Sequence, residues 1–304
     1  MRRVSGILLA VLMSVVLNLH AENEGYRQWT ERRDLLKKDP SVARYYTFED
    51  VENSKSTVKD LGTNGANLAF IPYTDKATKM VYDDLQVVEG RWKEKKAVRL
   101  DRGYYQGPSL NIENKQFSAE VWFRRHGQGS EPPPKVSIRR GHIISVEGYR
   151  RGWRLISSYD PVSGTTFSIG AAEGSDRAGA NVAANTPMED DTWQHIAITW
   201  NGKEMKLFHN GQLVGKNEYG KDYIPPDNKN IFKLGFAGMG MGALKLDIDE
   251  VVIYNRALSD EEISQLGRGP AGISKEDIFK NADVFLKKGD YKNARAEYEK
   301  LKNI

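Results

Sequence analysis

From Ser41 to Asn255 short runs of β-branched and aromatic residues alternate with polar ones, and turn residues separate the runs. Clear examples are Ala43–Phe48, Ala97–Leu100, Phe117–Phe123, His142–Val146, Arg154–Ser158, Phe232–Phe236 and Lys245–Tyr254. Period-two alternation sends successive side chains to opposite faces of a strand, so each run can bury one face and wet the other. Many short strands with regular turns predict an all-β, two-sheet antiparallel sandwich rather than a βαβ fold. Asn201-Gly202 and Asn210-Gly211 are the strongest hairpin signals, because Asn and Gly tolerate the positive φ of tight turns. They predict a meander of Trp193–Trp200, Met205–His209 and Gln212–Lys216.

The period changes at both ends. Between Glu22 and Lys38, Tyr26, Trp29, Leu35 and Leu36 recur at helical spacing, and Pro40 stops the run. A short N-terminal helix over 22–40 is expected. Ser259-Asp260-Glu261-Glu262 reads as a capping box, with Leu258 and Ile263 placed for a hydrophobic staple and Gly267 as the stop. A Gly/Pro linker over 267–273 follows. In the tail, 274–304, Ile278, Ala282 and Phe285 share one face, Gly289-Asp290 breaks the pattern, and Ala294, Tyr298 and Leu301 resume it. That predicts an α-helical hairpin.

The N-terminus begins with Arg2 and Arg3, continues with an apolar run from Gly6 to Leu17, and reaches a small residue at Ala21. This is the layout of a secretory signal peptide over 1–21, and the run falls short of the ~20 apolar residues of a membrane span. A secreted or periplasmic protein is expected, with no membrane span after cleavage. The competing reading keeps the segment as an uncleaved anchor helix. The chain of 304 residues has no cysteine, which excludes disulfides, thiolate metal sites and an N-terminal lipidated cysteine. A net charge of +4 spread along the chain gives no argument for nucleic acid.

Three stretches carry a resemblance. Tyr45–Asp50 with Val58–Leu68 (YYTFED…VKDLGTNGANL), Asp191–Gly215 (DTWQHIAITWNGKEMKLFHNGQLVG) and Leu246–Ile263 (LDIDEVVIYNRALSDEEI) occur in order. Together they resemble the laminin-G-like, concanavalin A-like lectin/glucanase jelly rolls of exported bacterial proteins, over residues 41–266. AVRLDRGYY and FSAEVWFRR match more loosely, and the segment from Gln128 to Arg140, with three consecutive prolines, departs from the pattern. The tail resembles a single tetratricopeptide-type helical pair. One such pair cannot bury its own apolar face, so it implies a protein partner, a dimer or docking on the sandwich.

The resemblance bears on the acids of LDIDE. Asp247 and Asp249 sit two apart, so a regular strand would turn them to one face. The glucanases resembled here place three acids at i, i+2 and i+4, and the third position here is Val251. Hydrolysis by a carboxylate pair therefore lacks a member at this strand. Two readings of Asp249 remain. In one it ligates a structural calcium, as the resemblance implies, with Asp50 or nearby carbonyls. In the other Asp249 and Glu250 cap backbone amides or pair with Arg256.

The remaining chemistry is sparse. The five histidines form no close pair, so zinc is not expected. No Gly-x-Ser-x-Gly elbow occurs, and Gly238–Gly242 leads into a strand without the Lys-Ser/Thr of a phosphate loop. Arginines crowd one stretch: Arg124, Arg125, Arg139, Arg140, Arg150, Arg151 and Arg154, beside Tyr149 and Trp153. Arginine binds carboxylate and sulfate through a two-pronged fork, and aromatic rings offer an apolar platform. Tyr149, Arg150, Arg151, Trp153 and Arg154 are the candidate ligand-binding residues, for an acidic polysaccharide or another anionic polymer. The competing reading is a set of edge strands guarded by charge. The sequence thus predicts a non-catalytic carbohydrate-binding module with a helical interaction tail. An envelope assembly protein and a glycoside hydrolase with an unrecognised site are the alternatives.

Overall fold

The structure is a computed structural model. It describes residues 24–74, 78–110, 116–126, 140–148, 151–158, 165–169, 181–184, 188–218, 231–236 and 245–267, with ten further positions between 279 and 298. The predicted signal peptide, Tyr149, Arg150 and most of the proline-bearing insertion lie outside them.

A helix α1 covers residues 24–36. The described strands are β1 (Val42–Tyr46), β2 (Thr57–Val58), β3 (Leu68–Thr74), β4 (Val81–Tyr82), β5 (Gln86–Glu89) and β6 (Lys96–Leu100). They continue with β7 (Gly103–Gly107), β8 (Phe117–Arg125), β9 (Arg140–Gly148), β10 (Arg151–Ser158), β11 (Thr165–Ile169) and β12 (Asn181–Ala184). The last are β13 (Trp193–Trp200), β14 (Glu204–His209), β15 (Gln212–Glu218), β16 (Phe232–Phe236) and β17 (Leu246–Tyr254), followed by helix α2 (Asp260–Leu266).

These strands form two antiparallel sheets. The first runs β15-β14-β13-β8-β17-β6-β5, with β1 also on β17; the second runs β12-β11-β10-β9-β16-β7-β3-β2, with β4 on β3. The expected sandwich and the 193–216 meander are both present. Asn210 and Gly211 take φ of 48° and 78°, the left-handed turn that Asn-Gly permits.

Alternation decides which side chains meet between the sheets. On β8, Phe117, Ala119, Val121 and Phe123 enter the shared core, facing Tyr105, Trp153, Phe167, Phe232 and Leu234 of the second sheet. Trp153 stacks on Phe117 with ring centroids 5.0 Å apart. A fully buried leucine or phenylalanine contributes about 1.5–3 kcal/mol, so this layer dominates the fold without disulfides.

A smaller cluster covers the back of the first sheet, joining Leu36, Val42, Tyr45, Phe208, Val252, Tyr254, Leu258 and Ile263. Helix α2 anchors there as its sequence indicates. The Ser259 side chain accepts from the Glu262 amide, the Glu262 side chain accepts from the Ser259 amide, and Leu258 and Ile263 are buried. The Gly267 amide donates to the Ile263 carbonyl, and a Cβ at Gly267 would collide with the Gly211 backbone. The helix end can approach the hairpin turn because both positions are glycine.

The chain divides into two compact units, Arg33–Gly267 and a second one of the terminal segments. In the second unit, Tyr26 stacks on Trp29 at 5.5 Å. The described tail residues are helical on both sides of Gly289, which turns with φ of 72°. Phe279 and Tyr298 meet edge to face at 6.0 Å across that turn. Among the described residues no helix is long and apolar enough to cross a membrane.

Candidate functional site: a polar row on the first sheet

The outer face of the first sheet carries the chemistry. One row crosses five strands in direct register: Trp193 opposite Arg124, Arg124 opposite Asp247, Asp247 opposite Arg99, and Arg99 opposite Gln86. With strands about 4.8 Å apart, the row is roughly 19 Å long.

Asp247 is the fixed point of this row and is fully buried. Arg99 grips it with a fork, Nε to Oδ1 at 2.7 Å and Nη2 to Oδ2 at 3.0 Å. Arg124 approaches from the other side, with Nε and Nη2 at 2.9 and 2.7 Å from Oδ2. His126 Nε2 lies 2.8 Å from the same oxygen, and its Nδ1 lies 2.6 Å from Asp191. Burial alone would raise the pKa of Asp247, but hydrogen bonds from Arg99, His126 and Arg124 outweigh it and hold the carboxyl below its ordinary range.

Each guanidinium has five N–H groups and directs those of Nε and Nη2 at Asp247, so the contacts to Asp247 leave the N–H groups of Nη1 unused on both arginines. Arg124 also lies over the Trp193 ring, 4.7 Å from its centroid. Both arginine side chains are about a quarter exposed and Trp193 is half-buried, so the row opens to solvent. Asp191, at the rim, holds a φ of 59°, an uncommon conformation for a non-glycine residue. Two pre-aimed guanidinium groups beside an indole can take an oxyanion such as a carboxylate or sulfate together with an apolar ring face.

One step deeper the face is closed. The loop from Gly90 to Lys95 lies over β17 and inserts Arg91 between Trp92 and Trp122, at 4.5 and 4.4 Å from the ring centroids. Arg91 Nε donates to Asp249 at 2.8 Å, and Nη2 donates to Glu250 at 2.5 Å. Glu250 also accepts from the Tyr45 hydroxyl at 2.7 Å. On β8, Glu120 is held by His195 at 2.9 Å and by the Tyr254 hydroxyl at 2.8 Å. The acids Glu120, Asp247, Asp249 and Glu250 are buried, and each has a bonded partner.

A β-bulge interrupts the two-residue alternation of the acids. The register between β17 and β8 shifts between Ile248 and Glu250, so Glu250 stands opposite Trp122 and Val251 opposite Val121 in the core. The outer series is therefore Asp247, Glu250, Val252 and Tyr254, with Asp249 in the bulge. Strict counting by two could not foresee the extra residue.

Asp249 and Asp50, expected from the resemblance as calcium ligands, have the following neighbours. Asp249 Oδ2 accepts the Arg91 amide at 2.9 Å, and Oδ1 faces both Arg91 and the Lys95 ammonium, the latter at 3.1 Å. Lys95 Nζ further donates to the carbonyls of Thr47 at 3.0 Å, Lys96 at 3.2 Å and Asp249 at 2.7 Å. A lysine ammonium thus fills the oxygen cage around Asp249. Asp50 Oδ2 accepts the Lys59 amide at 2.8 Å. Among the described residues no group of three or more His, Asp or Glu could hold a metal ion. Arg256, the other proposed partner of Asp249, pairs instead with Glu262 at 2.7 Å.

The arginine-rich stretch is divided between faces. Arg124 joins the row, while Arg125 binds Asp190 at 2.5 Å and the Met188 carbonyl at 2.6 Å. Trp153 belongs to the core, 1% exposed, and is not a ligand platform. Arg151 lies on β10, and Arg154 is half-buried on the outside of the second sheet, opposite Ser145 and Ser168. The sequence reading missed Arg99, whose register opposite Asp247 is set by the pairing of strands far apart in the chain.

Comparisons with known proteins agree with this architecture. The binding domain of Paraclostridial Mosquitocidal Protein 1 superposes with a TM-score of 0.54 at 19% identity, covering 76% of this chain and 52% of that one. The binding domain of botulinum neurotoxin DC, in complex with SialylT, gives 0.53 at 16%, covering 75% and 51%. Domain 4 of AbnA, an extracellular arabinanase of family GH43 from Geobacillus stearothermophilus in complex with arabinotriose, gives 0.53 at 16%, covering 75% and 98%. This chain thus spans about half the length of the two toxin domains, and at these identities the likeness concerns the fold. No curated protein sequence matches the chain. Residues 101–264, just over half of the chain, match the profile of the concanavalin A-like lectin/glucanases superfamily, and the chain belongs to that family.

Proposed function

We propose that this protein is an exported, non-catalytic carbohydrate-binding module that holds an acidic glycan along the row from Trp193 to Gln86. The observation that carries the reading is the pair Arg99 and Arg124, both oriented by buried Asp247 and flanked by Trp193. Orientation by a buried carboxylate lowers the cost of ordering two long side chains when ligand binds. Similar folds in complex with SialylT and arabinotriose support a binding role for a sandwich of this shape. Engagement of the buried acids Glu120, Asp247, Asp249 and Glu250 by basic or hydroxyl partners supports binding over hydrolysis at these positions.

The test is retention on immobilised heparin and alginate across a salt gradient. The wild type elutes late, and the Arg99→Ala/Arg124→Ala variant elutes near the void, with Trp193→Ala in between. If Arg150→Ala/Arg151→Ala abolishes retention and the first pair does not, the site moves to the β9–β10 connection. N-terminal sequencing of protein exported from a bacterial host, expected to start at Glu22, checks the signal peptide.

A second reading concerns the tail. Phe279, Leu286 and Tyr291 are exposed there at 53%, 38% and 73%, which suits a protein partner at the helical pair. Deleting residues 274–304 tests this, with loss of self-association or of a co-purifying envelope protein as the expected result.

A further inference from the structure

A second recess lies away from the arginine row, at the β2–β3 edge of the second sheet. It is a cleft of about 330 Å³ lined by Ser54, Lys55, Ser56, Ala69, Phe70, Pro72 and Asp83. Its floor is apolar: Pro72 is half-buried, and Phe70, whose ring also meets Tyr105 edge to face, is 8% exposed as a residue. Its rim is polar, and the hydrogen bonds within it fix which atoms can donate and which can accept.

Ser56 Oγ accepts the amides of Glu52 and Asn53, each at 3.2 Å. Both lone pairs of that oxygen are used, so its hydroxyl proton is left to donate to a ligand. Ser54 Oγ donates to Asp83 Oδ2 at 2.5 Å. Ser54 therefore presents lone pairs, and Asp83 keeps Oδ1 as an acceptor. The rim alternates one fixed donor with two fixed acceptors, and the Lys55 ammonium adds a flexible donor.

We propose that this cleft is a separate subsite for one neutral sugar residue, recognised through a vicinal diol. Each hydroxyl of a diol is both donor and acceptor, which matches Ser56 beside Ser54 and Asp83. The C–H face of the ring covers Phe70 and Pro72. A carboxylated or sulfated sugar is disfavoured, since it would meet the Asp83 carboxylate. The two recesses thus select different parts of a mixed glycan, the arginines an anion and the cleft a neutral unit. The proposal rests on the carbohydrate-binding reading for its ligand class, but not on the arginine row for its location.

The experiment uses the full chain and three neutral probes: arabinotriose, xylotriose and cellotriose. Calorimetry measures affinity, and amide chemical-shift changes locate the contact without any substitution. The expected result is binding of at least one probe, with shifts confined to residues 53–57, 69–71 and 83. Asp83→Ala, at an exposed position, and Ser54→Val, at a half-buried one, weaken it at least tenfold while melting temperature holds. Arg99→Ala/Arg124→Ala, measured at a temperature where its melting curve shows it folded, changes neutral-sugar affinity less than twofold. The cleft proposal is overturned if no neutral probe binds, if binding survives both rim substitutions, or if it falls with the arginine pair. Retention on heparin alongside any of these outcomes would leave the arginine row standing and remove only the cleft. Loss of heparin retention with intact neutral binding would do the reverse.

Discussion

The ammonium of Lys95 stands 2.7 Å from the carbonyl oxygen of Asp249 and 3.1 Å from the carboxylate of the same residue, with neither side chain reached by solvent. Two further carbonyls, of Thr47 and Lys96, also accept from it. This one contact ties the 90–95 loop to β17 and to the end of β1.

Replacing Lys95 by Met should therefore destabilise the protein strongly. Removing one partner of a buried ion pair costs about 3–5 kcal/mol, because the other charge stays buried. Urea denaturation should show a lowered midpoint with an unchanged slope. The cage left behind is made of oxygens, which suit a hard cation. Lys95→Ala should accordingly regain part of its melting temperature in millimolar calcium, while the wild type does not respond.

Much of the sandwich was legible because strand alternation is local. Phe232–Phe236 and Trp193–Trp200 keep their expected bounds, and the Asn210-Gly211 turn sets the register of β14 and β15. The Ser259 capping box was legible for the same reason, since its partners lie three residues apart. The row was not. Arg99 meets Asp247 across 148 positions, and Arg124 meets it across 123. Sequence proximity had grouped Arg124 with Arg154 instead, yet strand pairing sends them to different sheets. Trp153 misled for a related reason: an aromatic between arginines reads as a surface platform, but its parity on β10 turns it into the core.

Asp247 predicts an acid-sensitive limb. Its hydrogen bonds from Arg99, His126 and Arg124 overcome the effect of burial, so its pKa is lower in the folded protein than in the unfolded chain. The unfolded state then binds the proton first as pH falls. The stabilisation is present in full above the unfolded value of about 3.9 and is lost as pH drops toward the lower folded value. Asp247→Asn should remove that limb. It should also cost about 3 kcal/mol at neutral pH by leaving the two arginines without their shared anion. Denaturant melts of both proteins from pH 2.5 to 7 would check this; parallel curves would refute it.

His209 predicts a second, milder limb at higher pH. Burial lowers its pKa and repulsion from His195 adds to the effect, while Nε2 lies 2.8 Å from the Gln194 carbonyl oxygen of the side chain. The folded protein keeps this imidazole neutral where the unfolded chain already protonates it. Stability should decline as pH falls below the ordinary histidine value of about 6.5 and level off beneath the folded value. His209→Gln, which keeps a donor for Gln194, should flatten this part of the pH profile and leave the Asp247 limb in place.

Gly267 and Gly65 separate two reasons for glycine. At Gly267 the backbone is ordinary, φ −78°, but an added Cβ would strike the Gly211 backbone. At Gly65 the surroundings are open, with nothing within 4 Å, but φ is +58°. Gly267→Ala should therefore act through crowding, prising α2 from the hairpin turn at a cost of about 1–3 kcal/mol. Gly65→Ala should act through backbone strain alone, at about 1–2 kcal/mol. Amide exchange distinguishes the two. Crowding at Gly267 should speed exchange of the Ile263 amide, bonded to Ser259 within α2, and of the Asn210 amide, bonded to His195 at the hairpin, which flank that contact on either side. Strain at Gly65 should lower global stability and leave those two amides as slow, relative to the rest of the sandwich, as in the wild type. Equal exchange patterns in the two variants would mean that the close approach of α2 to the turn does not depend on the missing side chain.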